Sequence, residues 1–179
     1  VPAHPDGHDL PRQFASREAL QAALQSLFPQ APGPLSPIAG GRRAALERLA
    51  ASLGLAGRVH LLDAVERPEL VQLYSGAEAL LHPSLCEGFG NPVAEAMACG
   101  CPVVTSNVSA MPEVAGGAAL LADPRDPAEI AAQLRRVVED RSLAADLSSR
   151  GLQRAAELDW RAFAAANLAL YRRVFATDT

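Results

Sequence analysis

Apolar and polar positions change period several times along this chain, and each change marks an element. Over 42–53, Leu46, Leu49 and Leu53 recur at helical spacing, and Gly54 follows where a left-handed cap belongs. RVHLL, 58–62, reads as a short strand, after which Pro68 opens a helix carrying Leu70, Leu73 and Tyr74. AEALLHP, 77–83, reads as a buried strand. Asn91 suits an N-cap, Pro92 suits the first helical position, and Gly100 stops the helix between them. CPVVTS resumes a strand, and GGAALLAD, 116–123, holds another short one. DPAE, Asp126 to Glu129, is a capping box that opens a long helix, with helical periodicity continuing through Leu152. A last helix starts at Asp159 and Trp160 and runs through Leu168 and Tyr171 toward Phe175, leaving ATDT to fray.

Strands alternating with helices at this spacing predict an α/β fold with a doubly wound, Rossmann-like parallel sheet. The first forty residues fit less well. Ser16 to Leu27 is a plausible helix, but Pro34 and Pro37 sit where a central strand would need free N–H groups. An edge strand, a loop or a poorly ordered segment is expected there. The division is therefore 1–39, a divergent or truncated N-terminal segment, and 40–179, one Rossmann-like domain.

Composition agrees with a packed core: of 179 residues, 49% are hydrophobic, mostly Ala, Leu and Val, and 4% are aromatic. No run of eighteen apolar residues exists, and the start, VPAHPDGHDLPR, has neither a basic region nor an apolar signal core. A soluble, cytoplasmic protein is expected, and a first residue Val is expected of a processed or excised piece of something longer. The net charge of −4 and scattered arginines exclude a clustered phosphate-backbone face, so no nucleic acid partner is expected. No basic amphipathic patch indicates a membrane surface. Cys86, Cys99 and Cys101 are too few for a disulfide framework and lack zinc-site spacing, so they read as small buried thiols. All sixteen basic residues are Arg; the chain has no Lys.

The richest chemistry lies in CEGFGNPVAEAMACGCPVV, 86–104. In a parallel sheet, ligands sit beyond the carboxyl ends of the strands, where loops run into helix N-termini. Gly88 and Gly90 leave backbone open to a ligand, and the helix start at Asn91 offers unpaired N–H groups and a positive dipole end, which suits a diphosphate. Glu95, one turn inside that helix, can accept hydrogen bonds from a vicinal diol such as ribose, while Glu87 can hold hydroxyls of a second sugar. A Gly-x-Gly turn before a helix also occurs in folds that bind nothing, and an acid in a first turn is favourable for dipole reasons alone. These residues by themselves leave ligand binding open.

The string from His82 to Ala131, HPSLCEGFGNPVAEAMACGCPVVTSNVSAMPEVAGGAALLADPRDPAEIA, resembles the retaining glycosyltransferases of family 4, whose signature is Glu-Gly-Phe-Gly, then Pro, then Glu-Ala-Met-Ala-x-Gly-x-Pro-Val. From Gly40 on, the chain looks like the C-terminal, donor-binding half of a GT-B fold. The resemblance implies that Glu87 contacts the donor sugar at the reacting centre and that Glu95 binds the ribose. It also implies that Gly88, Phe89, Gly90 and Asn91 lie along sugar and diphosphate. The substrate would be a nucleotide sugar of the UDP or GDP type, with no cofactor and no metal. Transfer would retain the anomeric configuration. Glu113 matches a further family motif, as a loop-ordering residue or a plain helix start, and His82 either lines the cleft or packs. Gly40, Gly41 and Arg42 form either a second phosphate-facing turn or a helix start. Trp160 and Tyr171 read most simply as core contacts.

Two departures stand out. The family opens this half with Gly-Arg and a nearby Lys that neutralise the diphosphate, whereas here Arg17 is the only nearby candidate. Asp63 stands where the family commonly has Gly, near the expected nucleobase site. The acceptor domain would lie on a missing segment or a partner chain, so this fragment alone is expected to be inactive. Two roles follow: the donor domain of a glycosyltransferase that transfers a hexosyl group, or a degenerate donor-domain module with a binding or assembly role.

Overall fold

A computed structural model describes residues 40–55 and 57–175 of the chain. The expected helix at 16–27, the proline-rich segment after it and Arg17 lie outside the described residues. The described residues divide into two compact units, 40–70 and 71–175.

In the first unit, α1 (Gly40–Ser52) forms where the leucine periodicity predicts a helix, and Gly54 beyond it has a φ of 69°. The stripe itself stays uncovered: Leu46, Leu49 and Leu53 are all exposed among the described residues. The expected strand at 58–62 does not form. A strand exists only through ladder bonds. Here the Leu61 carbonyl accepts from Arg43 Nη2 at 2.7 Å, Val59 and Leu62 are exposed, and no ladder involves the segment. Arg43 also holds Asp63, Nη1 to Oδ1, at 2.7 Å, so that acid is already neutralised by a neighbour from α1. The helix α2 (Arg67–Gly76) begins at the end of this unit, and its buried residues, Val71 and Tyr74, belong to the second.

The second unit is built on three parallel strands in the order β1-β2-β3: β1 (Leu80–His82), β2 (Val103–Ser106) and β3 (Leu120–Ala122). All four residues of β2 are buried, as a central strand covered on both faces requires, which explains the unbroken apolar run before Thr105. The strands are shorter than the predicted runs because only the paired stretch belongs to the sheet. Between them lie α3 (Asn91–Ala98) and α4 (Met111–Ala115), giving two right-sized crossover connections. Three further helices follow: α5 (Pro127–Glu139), α6 (Arg141–Glu157) and α7 (Trp160–Phe175). Val104 of β2 packs with Val137 of α5 and Leu147 of α6, while Val93, Ala96 and Met97 make α3 almost wholly buried.

The long helix expected from Asp126 through Leu152 is two helices. Asp140 adopts an extended φ of −107° and its carboxylate accepts from the Ser142 and Leu143 amides at 2.9 and 3.0 Å, so it ends α5 and caps α6. Those bonds hold its carboxyl below the ordinary value of 3.8. The capping box at the start of α5 is half formed: Asp126 accepts from the Ala128 and Glu129 amides, but the Glu129 carboxylate reaches the Asp123 amide at 2.9 Å instead of returning to Asp126. The expected core role of Trp160 and Tyr171 is also overturned. α7 buries no residue; Trp160 is 48% exposed and stacks edge-to-face on Phe163, and Tyr171 is 57% exposed.

Candidate functional site

Two crossover loops meet at the carboxyl ends of β1 and β2. They are neighbours because the strands run parallel, with His82 opposite Thr105 at the end of the register. Thr105 Oγ1 donates to the His82 carbonyl at 2.8 Å. Beyond them, Ser109 of the second loop clamps Glu87 of the first: Ser109 Oγ accepts from the Glu87 amide at 3.1 Å and donates to the Glu87 carbonyl at 2.8 Å. Ser109 has a φ of 59°, a left-handed conformation that this reciprocal pair helps to hold.

The Glu87 carboxylate is oriented from β1. Ser84 Oγ donates to Oε1 at 3.2 Å, and His82 Nε2 lies 3.4 Å from the same oxygen. Glu87 is half-buried, and the His82 nitrogen is buried without a properly aligned hydrogen-bond partner. His82 therefore faces the candidate site rather than simply filling core.

The helix start differs from expectation in one position. Gly90, not Asn91, is the N-cap of α3; it has φ 94° and ψ 54°, and Asn91 and Pro92 are the first two helical residues. The chain must pass over Met111, which is fully buried, and a β-carbon at residue 90 would run into Met111 Cε. The Gly90 carbonyl accepts from Val93 at 3.0 Å and Ala94 at 3.4 Å. No side chain caps this end, and the N–H groups of Gly88, Phe89, Gly90 and Asn91 have no acceptor among the described residues.

Glu95, one turn further, is half-buried and accepts from the Tyr74 hydroxyl at 3.4 Å. Burial, with the Glu95 charge adding to it, raises the Tyr74 pKa well above the ordinary 10.0, so Tyr74 stays a neutral donor. Glu87 is thus held from β1 and Glu95 from α2. Phe89 and Asn91 turn toward a cavity of about 640 Å³ that Arg154, Asp159, Trp160 and Phe163 also line. Glu113 contributes backbone rather than its side chain: Arg154 Nη2 donates to the Glu113 carbonyl at 2.8 Å and Nε to the Val114 carbonyl at 3.0 Å. That guanidinium satisfies two carbonyls of α4, the short helix that Met111 opens. Of the three cysteines, Cys86 is exposed, contrary to expectation, because it sits in the open loop before Glu87; Cys99 and Cys101 are buried.

Sequence reasoning missed Ser84, Ser109, Tyr74 and Arg154. Ser84 and Ser109 carried a usable signal, since both are small polar residues just beyond the carboxyl ends of predicted strands. Tyr74 was read only as part of a helix face, and Arg154 had no signal in its own neighbourhood. Among the described residues no group of three or more His, Cys, Asp or Glu could hold a metal ion, and no helix is long and apolar enough to cross a membrane.

Comparison with known proteins identifies the fold and the family. The chain is 42% identical to the O-antigen chain mannosyltransferase B of Escherichia coli over 104 residues, covering 58% of this chain and 27% of that protein. Sucrose-phosphate synthase from Thermosynechococcus elongatus superposes with a TM-score of 0.68 at 29% identity, over 90% of this chain and 43% of that one. Anabaena Alr3699/HepE in complex with UDP-glucose superposes with a TM-score of 0.61 at 25% identity, over 78% of this chain and 41% of that one. The chain thus spans about a quarter of the curated relative and under half of each solved structure. These neighbours are GT-B glycosyltransferases, and the α/β fold with its parallel sheet is that of the C-terminal half of the GT-B fold. The sequence profile described as Glycosyl transferases group 1 matches residues 18–154, and the chain belongs to that family.

Proposed function

We propose that this chain is the donor-binding half of a retaining glycosyltransferase. It holds a nucleotide diphosphate sugar of the UDP or GDP type, and a hexosyl group passes to an acceptor carried on another segment or chain. The row of N–H groups from Gly88 to Asn91 that lack an acceptor among the described residues, with Glu87 before it and Glu95 one turn after it, is the observation that carries the reading. Four amides and the positive end of α3 suit a diphosphate. Glu95, kept in place by neutral Tyr74, takes the ribose hydroxyls, and Glu87 takes hydroxyls of the sugar at the reacting centre. The same amides would stabilise the charge that grows on the departing nucleoside diphosphate, with the acceptor attacking from the same face. The nucleotide sugar is the substrate, and no cofactor is invoked. The mannosyltransferase relative and the UDP-glucose complex of a structural neighbour support this donor class.

A degenerate, non-catalytic module is the second reading, favoured by the absence of Lys from the chain. Arg17, the proposed substitute at the diphosphate, lies outside the described residues. Calorimetry with UDP-glucose and GDP-mannose separates the two. Donor binding predicts saturable heat with at least one ligand, about tenfold weaker in Glu95→Ala. No heat with either ligand, and no thermal stabilisation by UDP or GDP, would establish the degenerate module instead.

A further inference from the structure

We propose that His82 is a positioning residue that fixes which oxygen of Glu87 is presented to the donor sugar, an inference that rests on the donor-binding reading. Two groups face Oε1: Ser84 Oγ at 3.2 Å and His82 Nε2 at 3.4 Å. Ser84 also lies 3.3 Å from the Cys86 carbonyl, and a hydroxyl has one hydrogen to give, so Ser84 serves one acceptor at a time. His82 has no such competitor. Its Nε2 is buried and makes no aligned hydrogen bond, its 3.4 Å approach to Oε1 being a close polar contact, and the end of β1 that carries it is pinned by Thr105 on the His82 carbonyl. A carboxylate offers only lone pairs, so the imidazole must carry its proton on Nε2 to favour this arrangement. With Oε1 taken up by the protein, Oε2 is the oxygen left for a sugar hydroxyl, and the carboxylate plane is set before the ligand arrives. His82 touches no ligand itself. It acts through Glu87 alone, so its contribution belongs to the sugar and not to the nucleotide.

The test compares the 179-residue chain with His82→Ala and His82→Gln, titrating each with UDP and UDP-glucose and with GDP and GDP-mannose. In the pair that the unmodified chain binds, His82→Ala is expected to weaken the sugar nucleotide about tenfold while leaving the bare nucleotide unchanged. His82→Gln, whose amide N–H can reach the same oxygen, should restore most of that difference. Equal weakening of both ligands, or no weakening of either, overturns the proposal while leaving donor binding intact. Binding of none of the four by the unmodified chain would sink the donor reading and this proposal together. Long-range nitrogen–proton spectra of the histidine ring give a readout without any nucleotide: a neutral His82 protonated on Nε2 supports the assignment, and one protonated on Nδ1 overturns it.

Discussion

Met111 fills the space that a β-carbon at Gly90 would enter. Gly90 therefore carries both a left-handed φ of 94° and a close approach to a buried side chain from the next crossover, whose end would have to shift to admit a β-carbon. Gly90→Ala should lose about 3 kcal/mol of stability, from backbone strain plus overpacking, and melt about 10 °C lower. Gly88 differs from it in both respects, having open space around it and no positive φ. Gly88→Ala is expected to melt with the unmodified chain, so any loss of nucleotide binding there reflects the site itself. Differential scanning calorimetry of the two variants checks the contrast.

Arg154 is expected to be the most costly single arginine in the second unit to remove. Truncation to Ala strips the Glu113 and Val114 carbonyls of their donor and should destabilise by about 1–3 kcal/mol in urea titrations. Arg154→Lys keeps a charge but lacks the fork that reaches two carbonyls, and should recover only part of that loss. Full recovery by Lys would show that charge, not geometry, is what α4 needs.

The thiols give a pH-dependent prediction with a definite sign. Burial pushes Cys99 up to about 12 and Cys101 up to about 11, from an ordinary 9.0. Below pH 9 both folded and unfolded chains hold these protons, and the stability is fully present. Above it the unfolded chain ionises first, so stability falls as pH rises toward 11 and 12. Tyr74, also raised by burial, acts in the same direction once its ordinary 10.0 is passed. Urea midpoints should decline over this range, and more shallowly in a Cys99→Ala, Cys101→Ala double variant. At neutral pH a thiol reagent should label Cys86 rapidly and the other two only on unfolding.

Tyr74→Phe removes only a hydroxyl. Its bond to Glu95 is long, at 3.4 Å, so the stability change should stay within about 1 kcal/mol. If Glu95 grips the ribose, nucleotide affinity should fall more than stability does. Calorimetry on the variant with UDP and GDP measures this, and an unchanged affinity would remove Tyr74 from the site.

The order of helices and strands was legible because apolar periodicity and Gly, Pro and Asp punctuation are local signals. Failures came where a distant partner decides the outcome. RVHLL has strand composition, yet its Leu61 carbonyl goes to Arg43, eighteen residues away. Asn91 has the better capping side chain, but the cap is Gly90, whose left-handed backbone passes over the buried Met111. The helical period runs through Asp140 without a break, and only its extended backbone and two captured amides separate α5 from α6. In the candidate site, Glu87, Glu95 and the glycine turn were readable as a motif. Two of their supports, Tyr74 and Arg154, were not, since each belongs to a helix that sequence alone does not bring near them.

Ser109 locks the loop after β1 from the loop after β2, and Met111 follows it two residues later under the cap. The smallest piece of this chain that could be transplanted into another scaffold with its geometry intact therefore runs from 82 to about 115, two crossovers together with the strand between them. A graft of the first crossover alone would arrive without its latch.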